Sequence, residues 1–168
     1  MNILVAILLL AASFIWGNWS RWRELLPTFY YLSFMNLFYE FIGNEYKHLW
    51  KLESNITNEF LTICIYNFIV YPCIIVLFFG NLPTEKAKTI ISLIKWIIVS
   101  VIIEYIALKL GYIKYLNGWN VYWTCFFWAT MYPMLILHNR KPLAAIGLSF
   151  VFIAFYLYIF DYHIFTKA

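Results

Sequence analysis

Charged residues are scarce in this sequence. Lys, Arg, Asp and Glu make up 12% of its 168 residues, while hydrophobic types make up 64%. A water-soluble domain needs a hydrated, charged surface, so this composition leaves no room for one. A soluble nucleotide-binding unit that could drive a pump is excluded with it. The net charge of +4 is not gathered into a basic stripe, which argues against nucleic acid as a partner. Basic loops facing anionic headgroups account for it. Catalytic signatures are missing too. There is no His-Glu-x-x-His, no Gly-x-Ser-x-Gly, no phosphate-cradling glycine loop and no Asp-rich pair for magnesium. No cofactor is expected, and the balance leans away from an enzyme. Cysteines number three, Cys64, Cys73 and Cys125. All fall inside apolar runs without zinc spacing and read as small packing residues. His48 and His163 read as isolated surface residues, so no metal site is expected. His138, beside Arg140 and Lys141, reads as interfacial, with a pH switch as the sharper alternative.

What the chain has instead is six apolar runs, at 1–17, 25–43, 59–80, 89–110, 118–137 and 142–160. Mean hydropathy is +0.76. Roughly 20 apolar residues are needed for a helix to cross about 30 Å of hydrocarbon. The runs are continuous rather than alternating, which favours helices over a β-barrel. The expectation is an all-α, single integral membrane domain over 1–168, a polytopic bundle of about six spans. The first run lacks a basic flank before it and reads as a retained helix, not a signal peptide.

Six spans place both termini on one side. The loops after spans one, three and five carry Arg21, Arg23, Lys86, Lys88, Arg140 and Lys141, with Lys95 just inside span four. Lys47, Lys51, Lys109, Lys114 and Lys167 fall on the other side. The positive-inside rule then puts the basic loops in the cytoplasm and both termini outside. Trp16, Trp19 and Trp22 flank the inner boundary, and Trp50, Trp119 and Trp123 the outer one, where amphipathic rings prefer headgroups. Trp128 lies deeper, as a packing residue. Tyr71-Pro72 and Tyr132-Pro133 predict kinks. Pro27, Pro83 and Pro142 stand at or before spans two, four and six, which suggests three helical hairpins of like orientation. Tyr46, Leu49, Trp50 and Glu53 are spaced for a short interfacial helix, though a structured loop fits equally. Asn55-Ile56-Thr57 matches the glycosylation sequon.

Polar residues within the runs are the candidates for function. A charged group at the bilayer centre costs roughly 2.5–3.5 kcal/mol on insertion scales, so such groups usually face the bundle. Asn36, Glu40, Asn67, Glu104, Asn117 and Asn120 all fall in the outer half. They suggest an outward polar pocket built on Glu40 and Glu104, expected to approach one another. Structural hydrogen bonding is the plainer reading of the asparagines. Asn117-Gly118-Trp119-Asn120 reads as a turn, with Asn120 capping the fifth helix and Trp119 anchoring it.

Trp19-x-x-Trp22 with Pro27-Thr28, Leu37-Phe38-Tyr39-Glu40, Tyr71-Pro72, Glu104, Asn117-Gly118-Trp119-Asn120, Tyr132-Pro133 and Lys141-Pro142 span most of the chain. In these pieces the sequence resembles a family of small multi-pass membrane proteins of spore-forming Gram-positive bacteria. That resemblance implies a bacterial plasma membrane and carries no activity with it. Three functions are then open. The first is a non-enzymatic membrane component that binds or assembles with a membrane-protein partner or a second copy of itself. The second is a small transporter or ion or proton pathway using Glu40 and Glu104. The third is a lipid-modifying enzyme. The lipid bilayer is the one partner common to all three.

Overall fold

A computed structural model of the protein describes residues 2–53 and 58–162. The Asn55-Ile56-Thr57 sequon, His163 and Lys167 lie outside them. The fold is a mostly helical bundle of six helices. In chain order these are α1 (Asn2–Trp16), α2 (Trp22–Glu45), the broken helix α3–α4, α5 (Lys86–Lys109), α6 (Val121–Arg140) and α7 (Pro142–Ile159). Two three-residue strands, β1 (Trp50–Leu52) and β2 (Ile113–Tyr115), pair antiparallel, with Lys51 opposite Lys114.

The broken helix shows how sequence sets local geometry. α3 (Glu59–Ile65) passes through a π-turn (Tyr66–Val70) into α4 (Tyr71–Gly80). Pro72 has no N–H, and its ring crowds the carbonyl four residues back. The chain absorbs this by widening one turn, so that the Tyr71 N–H bonds Tyr66 O. In a regular helix that N–H would serve Asn67 O. Ser33 Oγ donates to Asn67 O instead, at 3.0 Å. Pro133 is absorbed differently, since α6 runs through it as one helix.

Cross-links define the two ends. Asn81 Nδ2 donates to Trp16 O at 2.9 Å, and Thr28 Oγ1 meets His138 Nδ1 at 3.1 Å. The turns bearing Arg21, Lys86 and Arg140 therefore share a basic end. At the opposite end, β1 and β2 form a lid with the segment after α7. Leu116 N donates to Leu49 O at 2.7 Å, and Tyr162 OH to Lys47 O at 2.8 Å. The 46–53 segment follows neither of its two readings, helix or plain loop, because Trp50–Leu52 forms a strand of the lid. Trp50 and its neighbours find backbone partners in a segment about sixty residues away, which local periodicity does not register.

Three helices are long and apolar enough to cross a membrane among the described residues: Glu59–Gly80, Lys86–Lys109 and Pro142–Ile159. A fourth span is counted if α1 and α2 are taken as one bent unit. This differs from the six runs of the sequence. α6 carries His138, Asn139 and Arg140 within its last turns, and α2 carries polar side chains along its length. The chain turns through 95° between α1 and α2, where an antiparallel hairpin needs nearly 180°. α1 lies instead along α4, where Ser13 Oγ contacts Cys73 Sγ. α2 starts at Trp22, five residues before Pro27.

The core lies toward the basic end. Leu25 and Phe29 of α2 pack with Ile75, Val76, Phe78 and Phe79 of α4 and with Tyr132 and Leu135 of α6. A second cluster joins Leu49, Trp119 and Phe160 under the lid. Trp119 is thus 7% exposed, a core residue and not a headgroup anchor. α5 is the reverse, burying Ser100 alone while Ile90, Ile94, Ile98 and Ile102 face outward. Lys95 is the one charged residue along this outward stretch, and the apolar surface around it fits a helix long and apolar enough to cross a membrane.

The lid hangs on one hydroxyl. Tyr39 OH accepts from Leu49 N at 3.0 Å and Trp50 N at 2.9 Å, and donates to Trp50 O at 2.6 Å. Tyr39→Phe strands these backbone groups. It is expected to lower stability by about 1–3 kcal/mol, read as a lower melting temperature in detergent. Unchanged melting would remove this hydroxyl from its role.

Candidate functional site

The six sequence candidates sort into separate networks by their hydrogen bonds. Glu40 lies on α2 near the lid, and the loop after α2 brings His48 back onto it. His48 Nε2 stands 3.2 Å from Glu40 Oε2, with side chains 11% and 15% exposed. The return depends on Gly43. A Cβ there would collide with the imidazole ring, so only glycine lets the ring rest on α2. Asn117, in the left-handed region at φ 48°, donates its Nδ2 to His48 O at 2.7 Å and holds the loop from the other side. The Tyr39 ring meets the His48 ring edge-on.

Glu59 opens α3 beside this pair. Asn58 caps that helix, accepting from Leu61 N at 2.7 Å. One ligand atom each from Glu40, His48 and Glu59 lie within 4.8 Å of one another. Glu59 is the exposed member, and Lys51 Nζ stands 2.7 Å from its carboxylate. His48 is therefore not isolated. The carboxylate–histidine pairing escapes motif reading because it closes across a turn at no helical spacing.

Glu104 belongs to a different network. Its Oε2 accepts from Trp128 Nε1 at 2.7 Å, and its Oε1 from Thr124 Oγ1 at 2.8 Å and Tyr115 OH at 2.9 Å. Trp119 Nε1 donates to Thr124 Oγ1 at 3.0 Å, leaving the threonine proton for the carboxylate. Burial holds the Tyr115 phenol well above its ordinary range, so it remains a donor. Antiparallel packing sets the register. Ser100 meets Tyr132 at 2.7 Å, and one turn along each helix Glu104 meets Trp128. No cation pairs with Glu104 among the described residues. Thr124 and Trp128 are four apart on α6, which was the available sequence signal for a shared face.

The two glutamates thus take different partners, and no hydrogen bond joins them among the described residues. Tyr71 OH donates to Asn36 Oδ1 at 2.8 Å. Asn67, 2% exposed, donates Nδ2 to Ile63 O at 2.8 Å, and its buried Oδ1 has no partner among the described residues. Ser33, Asn36 and Glu40 share one face of α2 by spacing. Across from them stand Asn67 and Tyr71, four apart on the broken helix. A polar line therefore runs from Glu40 down the α2 interface. Asn120 stands apart from it and caps α6, accepting from Tyr122 N at 2.9 Å and Trp123 N at 3.3 Å.

His138, at the basic end, is 5% exposed and stacked on Tyr31 at 4.2 Å. Tyr31 in turn bonds Ser149 of α7 at 2.7 Å. It is a buried link between helices, not an interfacial residue.

No family model, curated protein or solved structure matches the chain.

Glu104→Gln puts an amide N–H₂ where one set of donors now meets an oxygen. The expected loss is about 1.5–3 kcal/mol, seen as a lower melting temperature. Trp128→Phe should cost less alone. The double variant should fall short of the sum, because both remove the same bond. Additive losses would contradict the network.

Proposed function

We propose that this protein is a small membrane-spanning pathway for a cation or proton, entered at the Glu40–His48–Glu59 cluster. That cluster is the observation that carries the reading. It gathers two carboxylates and an imidazole at one end of an apolar bundle, and intramembrane acids usually mark ion or proton routes. Glu40 and His48 can bind a cation or pass a proton between carboxylate and ring nitrogen. The Asn36–Tyr71 bond and the buried Asn67 Oδ1 extend polar groups inward. Glu104, held by neutral donors from α6 and β2, is a second acid in the bundle.

In this reading α1, α2 and α6 each cross as well, α1 and α2 meeting at their bend at the basic end, and complete a six-crossing bundle around the three long apolar helices. The basic end faces the cytoplasm of a bacterial cell, and the lid with both termini faces outward, as the positive-inside rule favours. The reading ranks above assembly with a protein partner for a physical reason. The cluster offers cation ligands, whereas the exposed apolar faces are what lipid alone demands.

Purified protein in liposomes should dissipate an imposed proton or monovalent-cation gradient faster than empty liposomes. Glu40→Gln should slow that flux by about tenfold or more, the effect of losing an essential acid–base group. Lys86→Gln, at the far end, should leave it near wild type. No flux above empty liposomes for protons, sodium, potassium or divalent ions would overturn the reading.

A further inference from the structure

We propose that Glu40, His48 and Glu59 bind a divalent transition-metal ion of the zinc, cobalt or manganese class. The proposal rests on the cation reading of this cluster and narrows it from any cation to these. The donor set makes the choice. One imidazole nitrogen with two carboxylate oxygens suits borderline divalent ions, while calcium and magnesium favour oxygen alone.

The spacing agrees. Ligand atoms about 2.0–2.1 Å from a tetrahedral ion stand about 3.3 Å apart. Glu40 Oε2 and His48 Nε2 are already 3.2 Å apart. The third ligand lies within 4.8 Å and belongs to Glu59, whose side chain is 48% exposed and has room to swing inward. The rest is prepared. Gly43 seats the ring, Asn117 fixes the backbone of His48, and Tyr39 walls one side. Second-sphere support of this kind is what orients ligating histidines. Three protein ligands leave a coordination position open, as in sites that exchange what they bind.

Lys51 has a defined part. Its ammonium stands 2.7 Å from Glu59 and is a tethered cation that competes with an incoming one for this carboxylate. A metal ion that takes Glu59 weakens this ion pair, so Lys51 lowers the site's affinity.

The test is titration of the full chain in detergent with Co²⁺, read by ligand-field absorption, with Zn²⁺ as competitor. The expected result is about one Co²⁺ per chain, a nitrogen–oxygen spectrum and displacement by Zn²⁺ but not Mg²⁺. Glu40→Gln, His48→Gln and Gly43→Ala should each weaken binding about tenfold or more. Lys51→Met, a change at a half-exposed position, should fold normally and tighten it. Undiminished binding in the Glu40 and His48 variants would overturn the site, as would Lys51→Met without effect. A thiolate-to-cobalt charge-transfer band would overturn it too, by moving the ion to Cys64, Cys73 or Cys125. The two proposals can fail separately. Cation flux without Co²⁺ binding sinks the metal site alone, and tight binding without flux of any cation sinks the pathway alone.

Discussion

A polar side chain surrounded by hydrocarbon must find its partner inside the protein, because no water will supply one. That constraint organises this fold. The helices present isoleucine, leucine and phenylalanine outward and turn Thr28, Asn36, Ser100, Glu104 and Thr124 toward neighbours. α5 shows it most plainly. One face is apolar surface interrupted by Lys95, and the other holds Ser100 and Glu104 against Tyr132, Trp128 and Thr124. Those pairs also fix how α5 and α6 meet, so satisfying the acid and setting the register are one event.

The same constraint treats the two glutamates differently. Glu104 is enclosed by neutral donors that reach both of its oxygens. Glu40 has one titratable partner, His48, and an open side shared with Glu59 and Lys51. A carboxylate held by fixed neutral donors is suited to structure. One that faces an imidazole and an exposed acid is suited to exchange. The chemistry of the molecule therefore concentrates at the lid end, where the strands, the His48 loop and the start of α3 converge.

Much of the scaffold is legible in the sequence because hydrophobic length and turn chemistry are local. The long apolar runs became helices. Asn120 caps α6, and Pro72 breaks the helix it enters, with the distortion displaced into the preceding π-turn. What escaped reading is non-local. The β1–β2 lid pairs two segments that do alternate, Trp50-Lys51-Leu52 and Ile113-Lys114-Tyr115, but three residues are too short a run for periodicity to register. The approach of His48 to Glu40 depends on Gly43, a glycine that looks ordinary in a helix. The donors of Glu104 are uncharged, so no complementary charge pattern announces them. The 95° turn after α1 has no signature beyond Gly17-Asn18, which could equally close a hairpin.

The central claim is that the bundle crosses a bilayer with its lid and its basic turns on opposite sides. Single cysteines at Lys47, Lys114, Lys86 and Lys141, in a chain lacking Cys64, Cys73 and Cys125, can be labelled with an impermeant thiol reagent on intact and on opened cells. The account predicts that Lys47→Cys and Lys114→Cys react from outside, while Lys86→Cys and Lys141→Cys react only after opening. Labelling of all four from the same side would contradict it.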